Sequence, residues 1–245
     1  MKKNFPKNNF SRIINNIQYN DYELNTLDYK NSILYDKRTC CKYYIALLRI
    51  KHPLLFGFCP IRDYNSLVIK LCIFLLSFDV YYVVNFFFFN AKDIHKIYDD
   101  GGRFDIIYFI PRILISFAIS HIITIIIKLL FLSERNIAQI RKEQIYHQVL
   151  RLATKEKKNI ICKYVIFYIL GIIFLLAFWM LLSSFGAVFQ NSQIILFENV
   201  LVCFSISLIY PIFFNIIPCL FRYCSLGKGK NLECLYDMSK FLQIL

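Results

Sequence analysis

Apolar residues along this chain gather into four long blocks, 67–89, 106–132, 164–189 and 194–221. Each could cross a hydrocarbon core of about 30 Å, which takes about 20 residues of helix. Lipid offers no partner to backbone polar groups, so a spanning segment must be a helix or a strand of a closed barrel. Barrel strands are short and alternate apolar with polar positions, whereas these blocks are continuously apolar. The pattern predicts an all-α fold, a membrane-embedded bundle of about four transmembrane helices. It divides the chain into a transmembrane domain, 67–221, with polar flanks. Residues 1–39 are polar, Asn-rich and basic, and are predicted to be disordered. Residues 40–66 are apolar but interrupted by Lys42, Arg49, Lys51 and Pro53, which suits an interfacial lead-in better than a span. Residues 222–245 form a tail.

The segment between the second and third blocks, 133–163, is rich in helix formers. Ile137, Ile140, Ile145, Val149, Leu150 and Leu152 give it a partly apolar face. It is expected to form a basic amphipathic helix, either lying on the membrane or extending the second span into solvent. The turn between the third and fourth blocks, 190–193, is short enough to make a tight helical hairpin.

Charge orients the blocks. Residues 1–66 carry 11 Lys and Arg, segment 133–163 carries 8 and tail 222–245 carries 4. The segment 90–105 carries 3 against 4 acidic residues, and 190–193 carries none. The positive-inside tendency then predicts both termini and segment 133–163 in the cytosol. All nine cysteines fall in predicted cytosolic or membrane segments, so no disulfide framework is expected. The sequon at Asn9 falls on the cytosolic side and should be unused. No apolar run in the first 40 residues resembles a cleaved signal, so the first span is expected to act as a signal anchor.

Composition sharpens the picture. Hydrophobic residues make up 58% of the 245 and charged residues only 18%, below the usual balance of a soluble domain. The net charge of +13 could suit nucleic acid, but the basic residues flank apolar runs and no nucleic-acid motif appears. The expected partners are therefore the lipid bilayer, with anionic lipids at the basic cytosolic surfaces, together with protein partners or a second copy of the chain. No P-loop, dinucleotide fingerprint, nucleophile elbow or zinc-protease motif occurs, so neither an enzyme nor a cofactor is expected.

Four polar residues inside the blocks are candidate site residues, because charge in hydrocarbon is costly and usually has a partner or a task. Counted from the helix ends, Asp79 and His121 lie at a similar depth, roughly 17–18 Å, on consecutive antiparallel helices. Together they could relay a proton, bind a cation or simply lock two helices. Arg112 and Glu198 share the opposite leaflet and could form an ion pair. Lys70 and Lys128 lie near the cytosolic ends and are expected to snorkel to the headgroups. Arg112, Ser116, Ser120, Thr124 and Lys128 recur at every fourth position, as a close-packing seam would. Pro111, Pro211 and Pro218 can kink their helices. In segment 90–105, Asp93, His95, Asp99, Asp100 and Asp105 fit no metal-binding spacing, and a solvated turn closed by Gly101 and Gly102 is the plainer reading. Cys59, Cys162, Cys219 and Cys224 lie near the cytosolic boundary, where thiols can be palmitoylated or idle. Cys40 and Cys41 match no metal or redox spacing.

The chain also resembles a known group of proteins. The residues concerned are Asp63 to Ser66, Asn85 to Phe89, His95 to Tyr98, Asp100 and Gly101, Ile110 and Pro111, and Leu132 to Glu134. They continue with Phe178 and Trp179, Tyr210 and Pro211, and Cys234 to Tyr236. In these it resembles the C-terminal membrane region of a family of multi-pass proteins from unicellular eukaryotes, ciliates and apicomplexans in particular. The resemblance covers most of residues 60–240. It implies a membrane topology and a protist source, and it brings no mechanism with it. Asp79 departs from that pattern, in which a small or apolar residue stands. Two functional classes follow for the chain as a whole: a non-enzymatic membrane anchor or scaffold module, and a subunit of an ion channel or proton-coupled transporter built on Asp79 and His121.

Overall fold

The computed structural model describes residues 19–59, 64–143, 145–189, 192–227 and 232–243, and among them lie twelve helices and no strand. Asn9, Asp63 and the first half of the 190–193 turn lie outside the described residues. Four helices are long and apolar enough to cross a membrane: α5 (Leu67–Phe88), α7 (Ile106–Phe131), α9 (Tyr146–Val188) and α10 (Gln193–Phe214). The chain is an all-α integral membrane protein.

Around the spans sit shorter helices. Before them come α1 (Asp21–Thr26), α2 (Tyr29–Tyr35), α3 (Cys40–Lys51) and α4 (Pro53–Phe58). Between them lie α6 (Ala91–Asp99) and α8 (Glu134–Lys142), and after them α11 (Ile216–Ser225) and α12 (Glu233–Leu242). Helix α5 is central, packing on α4, α7, α9 and α10. Helices α3, α11 and α12 close one end of the bundle, with α12 touching both α11 and α2.

Residues 21–26 and 29–35 form α1 and α2, where the sequence pattern predicts no regular element. The reason is tertiary. Asn20 and Glu23 form a capping box that starts α1. Glu23, 3% exposed, then accepts hydrogen bonds from the Tyr64 hydroxyl at 2.9 Å and from Arg141 at 2.9 Å. Tyr29 donates to the Ser225 carbonyl at 3.2 Å, and Ser32 bonds the Tyr236 hydroxyl. Polar side chains far apart in the chain therefore hold a segment too polar to form a core alone.

The 133–163 segment divides. Helix α8 is short and amphipathic, while residues from Tyr146 onward form one unbroken helix with the third span. The extension therefore belongs to the third span and not to the second. At 1.5 Å per residue the 43 residues of α9 reach about 65 Å, roughly twice the hydrocarbon thickness. The run contains neither Gly nor Pro before Gly171, so nothing interrupts it.

The fourth block, expected as 194–221, is interrupted at Asn215, where α10 ends and α11 begins. Pro218 explains the place of the break, since it has no N–H to donate to the Phe214 carbonyl and its ring clashes with that carbonyl. Segment 90–105 is also more regular than expected. Asn90 and Asp93 form a capping box, and α6 runs to Asp99. Gly101 and Gly102 close it with φ of +64° and +78°, which lets the Gly102 N–H donate to the Ile97 carbonyl at 2.8 Å.

Aromatic side chains build the interface between α5 and α9. Tyr82 meets Phe178 edge to face at 4.8 Å, and Phe86 meets Phe185 at 5.7 Å.

Candidate functional site

The interior of the bundle carries a line of small polar groups. Ser116 and Ser120 of α7 are fully buried, as are Asn199 and Cys203 of α10, and Asn85 of α5 is 1% exposed. Asn85 and Asn199 donate to carbonyls one turn back in their own helices, at 2.8 and 3.1 Å. Cys203 donates across to the Ile113 carbonyl at 3.2 Å, a contact only a close approach of α7 and α10 permits. The Ser116 and Ser120 hydroxyls have no hydrogen-bond partner among the described residues. This is the packing seam expected from the four-residue spacing on the second span.

Arg112 does not pair with Glu198. Its guanidinium bonds the carboxylate of Asp93, which is 1% exposed and also accepts from the Tyr108 hydroxyl at 3.2 Å. The rings of Phe89 and Phe109 lie 5.4 and 5.1 Å from the guanidinium carbon. Glu198 is half-buried and forms no ion pair among the described residues. Because α6 is a helix and not a loose turn, it carries Asp93 to the start of the second span, and that carboxylate reaches Arg112.

Asp79 and His121 do not join either. Among the contacts of the described residues, none joins the Asp79 carboxylate to the His121 ring, whose aromatic neighbours are Phe117 and Tyr210. The face of α5 that meets the polar interior carries Ile73, Ser77 and Tyr81. Asp79 is two residues from Ser77, about 200° round the helix, and so lies on another face. His121 instead stacks on Phe117 at 5.6 Å and meets the Tyr210 ring edge to face at 5.4 Å.

Lys70 and Lys128 turn inward, where snorkelling had been expected. Lys70 is 2% exposed and lies 5.6 Å from the centre of the Phe56 ring. Lys128 lies 4.5 Å from the same ring. Lys128 also lines an interior cavity of about 30 Å³, together with Lys51, His121, Thr124, Ser77 and Ser207. Pro53 starts α4 at the position where its missing N–H costs nothing, and that turn carries Phe56 under the lysines. Burial, and after it the charge of Lys128, pushes the Lys51 ammonium down to about 8. His52 beside it is also lowered, first by burial and further by Lys128.

No family model matches the chain, and no curated protein or solved structure matches it either. What it does must be read from its own side chains.

A second polar site lies where residues 24–43 meet residues 219–236. Arg222 is 1% exposed, and its guanidinium lies 4.9 Å from each of the Tyr43 and Tyr236 ring centres. It donates to Asp36 at 2.7 Å and to the Leu24 carbonyl at 2.7 Å. Arg38 donates to the same carboxylate at 2.8 Å. Burial works to raise the Asp36 pKa, but the hydrogen bonds and charges of Arg38 and Arg222 outweigh it and hold the carboxyl below its usual range. Burial pushes the Tyr43 phenol up. Beside this network Cys40 and Cys219 bring their sulfurs to 3.0 Å, and both line a wider cavity of about 410 Å³. Nothing in the local spacing marked Cys40 for this contact, because its partner lies 179 positions away. No cluster of three metal-binding side chains occurs among the described residues.

Proposed function

We propose that the protein is a non-enzymatic membrane anchor or scaffold module that presents a basic surface to the cytosol. The observation that carries this reading is the length of α9. Its first 18 residues, 146–163, continue the third span past the apolar block as one rigid helix. Arg151, Lys155, Lys157 and Lys158 are exposed along it, and so are Leu150 and Leu152. The extension is braced at its base: Asn136 of α8 donates to Glu156 at 2.8 Å, and the Lys163 ammonium donates to the Leu132 carbonyl at 3.3 Å. A stiff, charged rod that the rest of the fold scarcely covers suits holding a partner or an anionic surface better than it suits chemistry.

Replacing Lys155, Lys157 and Lys158 together with Glu tests the reading. Binding of the purified protein's extension peptide face to vesicles rich in anionic lipid, or recovery of a co-purifying protein, should fall at least about tenfold. Unchanged recovery of both would exclude the extension as the working surface. The cytosolic orientation has its own test. A tag at residue 100 should be shielded from cytosolic protease and a tag at residue 145 should be cut; the reverse result would invert the topology.

A second reading, a subunit of an ion channel or proton-coupled transporter, draws support from the polar interior around His121. Ion and proton flux through proteoliposomes, compared with the Asp79→Asn variant, separates the two readings. Flux lost in the variant favours transport through Asp79, and absence of flux in correctly inserted protein favours the scaffold.

A further inference from the structure

Two ammonium groups converge on one interior cavity, and no acidic residue lines it. Lys51 arrives from the end of α3 and Lys128 from the last turn of α7. Among the described residues neither forms an ion pair. A withdrawn charge without a counter-charge is costly, and two of the same sign in one place compound the cost. Their mutual repulsion is registered at Lys51 itself, which burial and then Lys128 push down to about 8. His52 feels the same field from Lys128.

We propose that this cavity, enclosed by α3, α4, α5, α7 and α10, binds one halide-sized monovalent anion between the ammonium groups of Lys51 and Lys128. The anion supplies the missing counter-charge to both lysines at once. Its size follows from the space. A volume of about 30 Å³ holds about two waters. That suits a chloride or bromide ion and is too small for a phosphodiester or a carboxylate on an organic frame.

The hydroxyls around the cavity define which groups donate. Ser77 donates to the Ile73 carbonyl at 2.6 Å, Thr124 to the Ser120 carbonyl at 2.9 Å and Ser207 to the Phe204 carbonyl at 2.6 Å. Their protons are committed to their own helices, so the two ammonium groups, and not these hydroxyls, supply the contacts to the anion. Phe56 completes the wall, its ring 4.5 Å from the Lys128 ammonium. This site is independent of the scaffold reading, since the α9 extension does not contribute to it.

The experiment is equilibrium binding of radiolabelled chloride to the purified full chain in a neutral detergent, with gluconate holding ionic strength constant. Saturable binding of one chloride per chain is expected. Lys51→Met and Lys128→Met should each weaken it at least about tenfold, the loss of one charge-assisted contact. Lys128→Arg keeps the charge and should retain it, and Lys92→Met, at an exposed position on α6, should leave it unchanged. If Lys128→Met does not fold, Lys51→Met carries the test, because Lys51 closes α3 outside the spans. Absence of saturable binding in the parent protein overturns the proposal, as does full binding in the Lys51 variant. Equimolar displacement of chloride by phosphatidate in the micelle would assign the site to a lipid phosphate and overturn the halide.

Discussion

Asp93 ties α6 to the second span by accepting a charge-assisted hydrogen bond from Arg112. The carboxylate is 1% exposed and it also accepts the Asn90 backbone N–H at 2.8 Å, so one side chain both caps a helix and neutralises a membrane arginine. Removing one partner of such a pair leaves the other charge buried. Asp93→Ala should therefore cost about 3–5 kcal/mol of stability, seen as a lower thermal midpoint in detergent. Glu198→Ala should change the same midpoint little, because Glu198 is not the partner of Arg112. A large loss at Glu198 and none at Asp93 would reverse the assignment.

The end of the bundle closed by α3, α11 and α12 depends on Arg222. Arg222→Lys keeps the charge but loses the planar fork that serves Asp36 and the Leu24 carbonyl and stacks on two rings. It should cost about 2–4 kcal/mol and open residues 19–51 to protease before the spans unfold. Acid should act on the same place. Asp36 has a lowered carboxyl pKa, so its contribution is complete above the ordinary value of 3.8 and is lost as pH falls through the folded value. Protease sensitivity of this segment should rise below pH 4 in the native chain, and the rise should be smaller in Asp36→Asn.

Lys51 predicts the opposite edge of the pH scale. Its ordinary value is 10.5 and its folded value about 8. Below about 8 both states are protonated and the folded state bears the whole burial penalty. Between the two values only the unfolded chain holds the proton, so stability rises with pH, and above 10.5 the penalty is gone. Thermal midpoints in halide-free buffer should climb from pH 8 to pH 10, and Lys51→Met should flatten the slope. A slope that persists in the variant would place its source elsewhere.

Cys40 and Cys219 offer a direct check on how α3 lies against α11. With sulfurs 3.0 Å apart, a mild copper-phenanthroline oxidation should join them by removing two protons and two electrons. Peptide mapping should recover the 40–219 crosslink, and Cys40→Ser should abolish it. Crosslinking of Cys41 in preference to Cys40 would mean that α3 is rotated.

The four spans were legible in the sequence, because continuous apolar length is a local property and a bilayer admits few structures that satisfy it. The close seam at Ser116 and Ser120 was legible too, since a four-residue spacing brings small side chains to one side of a helix. Depth could also be counted, which is why Asp79 and His121 looked like partners. Depth alone does not fix the azimuth of a side chain, and packing turned Asp79 to another face of α5. For Lys70 and Lys128, distance from the helix end favours snorkelling. Phe56, carried on a separate short helix, gave their ammonium groups an inward place instead.

The docking of α1 and α2, the Arg112 to Asp93 pair and the Cys40 to Cys219 contact belong to tertiary structure alone. Each joins residues whose association depends on where whole helices come to rest. Hydropathy carries no information about pairing between polar groups, because a polar side chain can be satisfied by water, by its own helix or by a distant partner. The sequence by itself therefore determined that this chain crosses the membrane and roughly where. Only the folded arrangement decided which buried charges meet, and which two lysines are left facing a cavity without a carboxylate.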